Sequence, residues 1–170
     1  MVSAEYAAAA THGALRSQVA THTHLRAVRL DASHARRVAE IRRGRDASHV
    51  EIDDSAAAFA ESLAQPTWLF LGAVAYDRRP HQGTDVLVGY VWINLRSSNL
   101  MNTLYEAYVD ERYQRQDVLA FLIGVWNSWE GSHKLKLDVA TDNLSAVNAY
   151  KKHGFVIVCE EDGCYRMEQR

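Results

Sequence analysis

Along the chain the spacing of apolar residues switches between a period of two and a period near 3.6, and each switch marks an element. Over residues 24–30, Leu25, Ala27 and Val28 are interleaved with Arg26 and Arg29, which predicts a short strand with one wet face. Ala35, Val38, Ala39 and Arg42 then share one face of a helix over residues 34–43, with Asp31 or Ser33 as its cap and Gly44 as its stop. Ala56, Phe59, Ala60 and Leu63 predict a second helix over about residues 55–65, ended by Pro66. Residues 67–76 and 85–95 are aromatic and β-branched runs flanking a polar loop that contains Pro80 and Gly83, the pattern of an antiparallel hairpin with a long turn. A polar turn at residues 97–99 leads to a further strand over residues 102–110, carrying Leu104, Ala107 and Val109.

The helical period returns over residues 117–129, where Val118, Phe121, Leu122, Val125 and Trp129 form one face and Leu119, Ile123 and Trp126 lie beside it. So wide an apolar surface requires a sheet beneath the helix. Leu135, Leu137 and Val139 alternate with Lys134, Lys136 and Asp138, which gives a strand over residues 134–139. A last helix over residues 142–153 stops at Gly154, and residues 155–160 and 164–168 form a hairpin around Glu161-Asp162-Gly163. The resulting order, βααβββαβαββ, is that of an α/β (α+β) domain without internal repeats.

Composition narrows this reading. The 170 residues suit one domain, and 48% hydrophobic with 24% charged residues argues against disorder. Residues 1–22, rich in alanine, are expected to form an arm or extra helix ahead of a domain over residues 23–170. They lack the basic start and leucine-rich centre of a signal peptide. No run approaches the ~18 apolar residues of a membrane span. Nineteen basic against 21 acidic residues give a net charge of -2, so nothing points to nucleic acid or an anionic membrane as partner. Cys159 and Cys164 are too few for a disulfide scaffold and are expected to be reduced thiols facing one another across the final hairpin of a cytoplasmic protein. His12, His22 and His24 have no acidic or cysteine partners nearby, so no metal site is expected. Trp68, Trp92, Trp126 and Trp129 fall in strands or on the main helix face, as core residues do.

The most informative segment runs Thr141-Asp142-Asn143-Leu144-Ser145-Ala146-Val147-Asn148-Ala149-Tyr150-Lys151-Lys152-His153-Gly154-Phe155. It resembles the late signature of the GNAT N-acetyltransferase superfamily, where an Asn, a small residue, an aromatic and a closing Gly-Phe surround the helix after the fifth strand. Leu104-Tyr105-Glu106-Ala107-Tyr108-Val109-Asp110-Glu111-Arg112-Tyr113 is similar to that family's fourth strand entering its acetyl-CoA loop. Val86-Leu87-Val88-Gly89-Tyr90-Val91 resembles its third strand, and Tyr165-Arg166-Met167-Glu168 its last. The resemblance implies a central, mixed but mostly antiparallel sheet of six to seven strands flanked by about four helices, and possible assembly as a homodimer.

It also implies a chemistry: transfer of an acetyl group from acetyl-CoA to a primary amine of a small molecule or peptide. Acyl transfer from a thioester needs a neutral amine held beside the carbonyl, a base for the amine's proton and an acid for the leaving thiolate. By the resemblance, Tyr150 is the acid and Glu106 the base. Tyr108 and Val109 on the fourth strand, the loop Gln114, Arg115, Gln116, Asp117, Val118 and Leu119, and Asn143 hold the acetyl-CoA. The family's loop reads Arg or Gln, two residues, Gly, one residue, then Gly or Ala. Here Gln114 fits, but Asp117 and Leu119 occupy the two small positions. A one-residue slip would place Arg115, Val118 and Ala120 there instead. Arg112 and Arg115 are candidate phosphate partners in place of glycine amides. The substituted loop leaves a second reading, a GNAT fold with lost or altered acyl-CoA binding that serves as a ligand-binding or regulatory module. Glu160, Glu161 and Asp162 in the final hairpin suit either a cationic acceptor or a solvated turn.

Overall fold

The computed structural model describes residues 25–43, 52–76, 85–95, 101–129 and 133–170. The expected arm and the histidines within it lie outside the described residues. Strand β1 (Leu25–Arg29) leads through a 3-10 turn (Ala32–His34) into helices α1 (Ala35–Arg43) and α2 (Ile52–Leu63). Strands β2 (Trp68–Ala75), β3 (Val86–Asn94) and β4 (Met101–Val109) follow, then a 3-10 turn (Glu111–Tyr113) and helix α3 (Val118–Asn127). The chain closes with β5 (Lys134–Ala140), α4 (Leu144–Lys152), β6 (Phe155–Glu161) and β7 (Cys164–Gln169). The seven strands form one sheet in the order β1-β2-β3-β4-β5-β7-β6, antiparallel everywhere except between β4 and β5. The order and kind of elements are those read from the sequence.

The boundaries differ where local chemistry overrides spacing. Asp31 rather than Ser33 caps the first helical segment, its carboxylate accepting from the Ser33 N–H at 2.9 Å, and that segment begins as a 3-10 turn. Helix α2 begins at Ile52, three residues ahead of the apolar spacing, with Asp54 in its first turn complementing the helix dipole.

Each face of the sheet has its own core. On one face α3 buries Val118, Phe121, Leu122, Ile123 and Trp126 against Leu69, Leu71, Val91, Ile93, Leu104, Leu135 and Leu137. The Trp126 indole N–H donates to the His133 carbonyl at 2.9 Å, which lets so large a side chain be buried without an orphaned donor. On the other face α1 and α2 bring Val38, Ile41 and Phe59 onto Phe70, Val74, Leu87 and Tyr90. Each such side chain contributes roughly 1.5–3 kcal/mol on burial, so both layers are needed to hold the helices to the strands. Gly89 lets the layers close: a Cβ there would stand 2.8 Å from Val118 Cγ1 and 2.9 Å from the Tyr108 carbonyl oxygen.

One expectation about side chains changes. Cys159 pairs with Arg166 and Cys164 with Glu161 in the β6–β7 ladder, so the thiols are offset along the hairpin and do not face each other. Both are free. The tryptophans pack as expected to different depths: Trp126 is 1% exposed, while Trp68, Trp92 and Trp129 are half-buried against the two cores.

Candidate active site

The parallel pairing of β4 with β5 is confined to Met101, Asn102 and Thr103 against Lys134, Leu135 and Lys136. Beyond that point β4 pairs only with β3 and β5 only with β7, so residues 104–109 and 137–140 diverge and a wedge opens between them. The cause lies in β4 itself. Its ladder with β3 steps from Trp92↔Glu106 to Ile93↔Leu104, leaving Tyr105 as an extra residue. A bulge of this kind bends and twists a strand, here at the base of the wedge.

At the far end of β4 the backbone turns around a buried carboxylate. Asp110 accepts from the Arg112 backbone N–H at 3.0 Å and from the Arg112 guanidinium at 3.1 and 2.8 Å, and it is ion-paired with Arg37 of α1. Arg37 also donates to the Leu87 carbonyl at 3.0 Å, tying α1, β3 and this turn together. Hydrogen bonds from Arg112, supported by Arg37 and opposed by burial, hold the Asp110 carboxyl well below the usual carboxylate range. Arg112, a candidate phosphate partner, is thus engaged by Asp110. Gln116 donates to the Arg112 carbonyl at 3.0 Å.

The next residues enter α3 through two left-handed conformations, Arg115 at φ 62° and Asp117 at φ 57°. Left-handed backbone favours glycine, and Asp is one of the few other residues that tolerates it. Asp117, at the first small position of the family pattern, thus takes a conformation that glycine adopts without strain. Its side chain caps nothing. Phe121 is the first residue of α3 whose N–H bonds within the helix, to the Asp117 carbonyl at 2.9 Å. The N–H groups of Val118, Leu119 and Ala120 precede any intrahelical acceptor, so this terminus has the donors and dipole to receive an anion. Leu119 instead turns its side chain toward the core beside the buried Val118. The Asp117 carboxylate also acts on His153 at the end of α4, raising an imidazole pKa that burial pulls down more strongly.

On the α1/α2 face of β4, Glu106 is ion-paired with Arg42 of α1, and the buried Tyr90 hydroxyl donates to it at 3.3 Å. Burial, then the Glu106 charge, pushes the Tyr90 phenol far above its ordinary range, so it stays a donor. Tyr108 stacks on Tyr90 with ring centroids 5.6 Å apart and hydrogen-bonds with Arg42. Sequence reasoning selected Glu106 and Tyr108 but missed Arg42 and Tyr90. A signal existed for Arg42, a charged residue on the inward face defined by Ala35, Val38 and Ala39. Nearer the base of the wedge, Tyr105 is 59% exposed and meets Trp92 and Trp68 edge-on, with centroids 4.9 and 5.3 Å away. The Trp92 indole nitrogen is buried without a partner.

Helix α4 follows directly from the open end of β5. Asn143 caps it, its side-chain oxygen accepting from the Ala146 N–H at 3.2 Å. Tyr150, two turns further along α4, is half-buried against the α3-side core with its ring 5.5 Å from Phe155. Tyr108 and Val109, the loop from Gln114 to Leu119, Asn143 and Tyr150 are all carried by elements that border the wedge. The acidic residues Glu160, Glu161 and Asp162 are exposed at the tip of the last hairpin. That hairpin is joined to the β5–α4 turn by the Thr141 N–H, which donates to the Gly163 carbonyl at 2.9 Å.

The sequence model of the Acetyltransferase (GNAT) family matches residues 36–155, from α1 through the start of β6. The chain belongs to the GNAT acetyltransferase family. Solved structures agree in fold. The PaiA N-acetyltransferase from Thermoplasma acidophilum, in complex with coenzyme A, superposes with a TM-score of 0.65 at 17% identity, covering 86% of this chain and 98% of that one. A mutant of the spermidine N-acetyltransferase SpeG from Vibrio cholerae gives 0.63 at 15% identity, covering 86% and 93%. No curated protein matches the sequence. Among the described residues of this GNAT domain there is no cluster of three metal-binding side chains, and no helix is long and apolar enough to cross a membrane.

Proposed function

We propose that the protein transfers an acetyl group from acetyl-CoA to a primary amine of a small molecule or peptide. The observation that carries this reading is the wedge between β4 and β5, opening beside the anion-receptive terminus of α3 in a chain of this family. Strand β4 around Tyr108 and Val109 would receive the pantetheine arm, and the amides that follow Gln114, Arg115, Gln116 and Asp117 would receive the diphosphate. Asn143, whose side-chain oxygen caps α4 at the end of β5, would offer its amide N–H groups to the donor.

Chemistry then falls to two side chains. Glu106, held in place by its ion pair with Arg42, would accept the amine's proton, directly or through water, as nitrogen bonds to the thioester carbon. The C–S bond breaks, and the Tyr150 hydroxyl would supply the proton that the departing sulfur needs. Glu106→Gln and Tyr150→Phe test the roles through free thiol released from acetyl-CoA in the presence of a panel of primary amines. Turnover reduced at least tenfold with an unchanged circular dichroism spectrum supports each assignment, and wild-type rates refute it.

One observation favours a second reading. The Asp117 carboxylate stands at the terminus that would receive the donor's phosphates, which suits a GNAT fold whose acyl-CoA binding is lost or altered and which binds another ligand. Calorimetry separates the two. Acetyl-CoA binding by the natural chain supports the enzyme, and binding only by Asp117→Gly supports the second reading.

A further inference from the structure

In a regular strand, neighbouring residues point to opposite faces of the sheet, so the backbone should separate Tyr105 from Glu106. The bulge in β4 cancels that alternation. Glu106 meets Arg42 and Tyr90 on the α1/α2 face, and Tyr105 meets Trp92 and Trp68 on the same face. Trp68 and Trp92 also pack edge to face with centroids 4.8 Å apart, and Trp92 lies 4.8 Å from the buried Phe70. Three mutually packed rings, rooted in the core, thus hold the Tyr105 ring in place while leaving it open to solvent. Trp92 stands directly opposite Glu106 in the β3–β4 ladder, an arrangement that sets Cβ atoms about 5 Å apart.

We propose that Tyr105, Trp92 and Trp68 form the acceptor subsite, and that the acceptor is a primary amine whose aryl group docks on these rings. The inference rests on the reading in which Glu106 receives the amine's proton. The short span from Glu106 to the rings then sets the spacer, about two or three carbons between nitrogen and aryl group. A second ring gains offset or edge-on contact with the open Tyr105, and because the platform is already held rigid, little ordering is lost on binding. Arg42 adds selection by charge. Its guanidinium already neutralises Glu106, so the second ammonium of a diamine or polyamine would meet a positive charge there, whereas an aryl group would not.

The test uses the full chain with phenethylamine, propylamine and spermidine as acceptors, and reads turnover as free thiol released from acetyl-CoA. The expected kcat/KM for phenethylamine is at least tenfold above that for either of the others. Tyr105→Ala brings the ratio to within twofold, mainly by raising KM for the aryl amine, and Tyr105→Phe, which keeps the ring, retains it. Binding is read separately, from the indole N–H NMR signals of Trp92 and Trp68 during titration with phenethylamine. The Trp92 N–H, buried without a hydrogen-bond partner, reports on a ring arriving beside it. Saturable shifts that disappear in Tyr105→Ala support the subsite, even where none of the three amines releases thiol, a result that would count against acetyl transfer alone. Turnover without an aryl preference, or with one that Tyr105→Ala leaves intact, overturns the subsite and spares the acetyltransferase reading. So does the absence of any shift up to tens of millimolar phenethylamine.

Discussion

Asp117 offers the sharpest perturbation, because its charge and its backbone angle can be changed separately. The carboxylate sits one residue ahead of the free N–H groups of Val118, Leu119 and Ala120, at φ 57°. A phosphate charge ~5 Å away would be repelled by ~3 kcal/mol at an effective dielectric of ~20, equivalent to about a hundredfold in affinity. Asp117 is exposed, so screening by water and salt reduces this toward ~1 kcal/mol, or about fivefold. Asp117→Asn removes the charge while keeping a residue that tolerates left-handed backbone, and it should tighten acetyl-CoA binding five- to a hundredfold at low salt. The gain should shrink as salt rises. Asp117→Gly should give the same gain in affinity and add up to ~1 kcal/mol of stability by relieving the left-handed conformation of a residue with a Cβ. Calorimetric titration at two ionic strengths and thermal unfolding read both effects. Equal affinity for all three proteins would refute the idea that the carboxylate faces bound phosphate. Destabilisation by Asp117→Gly would refute the backbone argument.

Three other consequences can be checked. Asp110→Asn breaks a buried pairing with Arg37 and Arg112 and should cost ~2–3 kcal/mol, between the values for surface and fully buried pairs. Because the Asp110 carboxyl is lowered in the folded state, its contribution is complete above the unfolded pKa near 4 and disappears as the pH falls through the folded value. Urea unfolding from pH 7 to pH 2 should therefore show an acid loss of stability that the variant lacks in part, and parallel curves would contradict this. Gly89→Ala would press its methyl group against Val118 and the Tyr108 carbonyl and should cost ~1–3 kcal/mol in denaturant unfolding, with weaker donor binding because the start of α3 is displaced. An unchanged midpoint would show that the contact relaxes freely. Asp117→Asn should also lower the His153 pKa further in an NMR titration, since the carboxylate now raises it against burial. An unmoved titration would separate α4 from the α3 terminus.

Element order was legible in the sequence because each element carries its own period, and α3 was legible as a helix on a sheet because its apolar surface is so wide, although Ile123 and Trp126, rather than Val125 and Trp129, complete its buried face. The site was legible only in part. The wedge depends on β4 and β5 meeting for three residues and then parting, a long-range pairing that no local pattern encodes. Tyr105 reads as an ordinary strand residue, and only the ladder with β3 reveals it as the bulge. Arg42 could have been recognised, since a charge on an inward helix face demands a buried partner, and Glu106 supplies it. Asp117 was visible as a departure from glycine, but its left-handed backbone was not. The offset of Cys159 and Cys164 follows from the two-residue turn at Asp162 and Gly163, which pairs Glu161 with Cys164 and therefore Cys159 with Arg166.

Donor binding by the natural chain decides the acetyltransferase reading most directly. Titration of the unmodified protein with acetyl-CoA at low ionic strength should give one saturable site per chain, weakened by salt and by any variant that displaces the start of α3. No heat and no protection of the β4 and α3 amides up to millimolar acetyl-CoA, in a protein that remains folded, would contradict it.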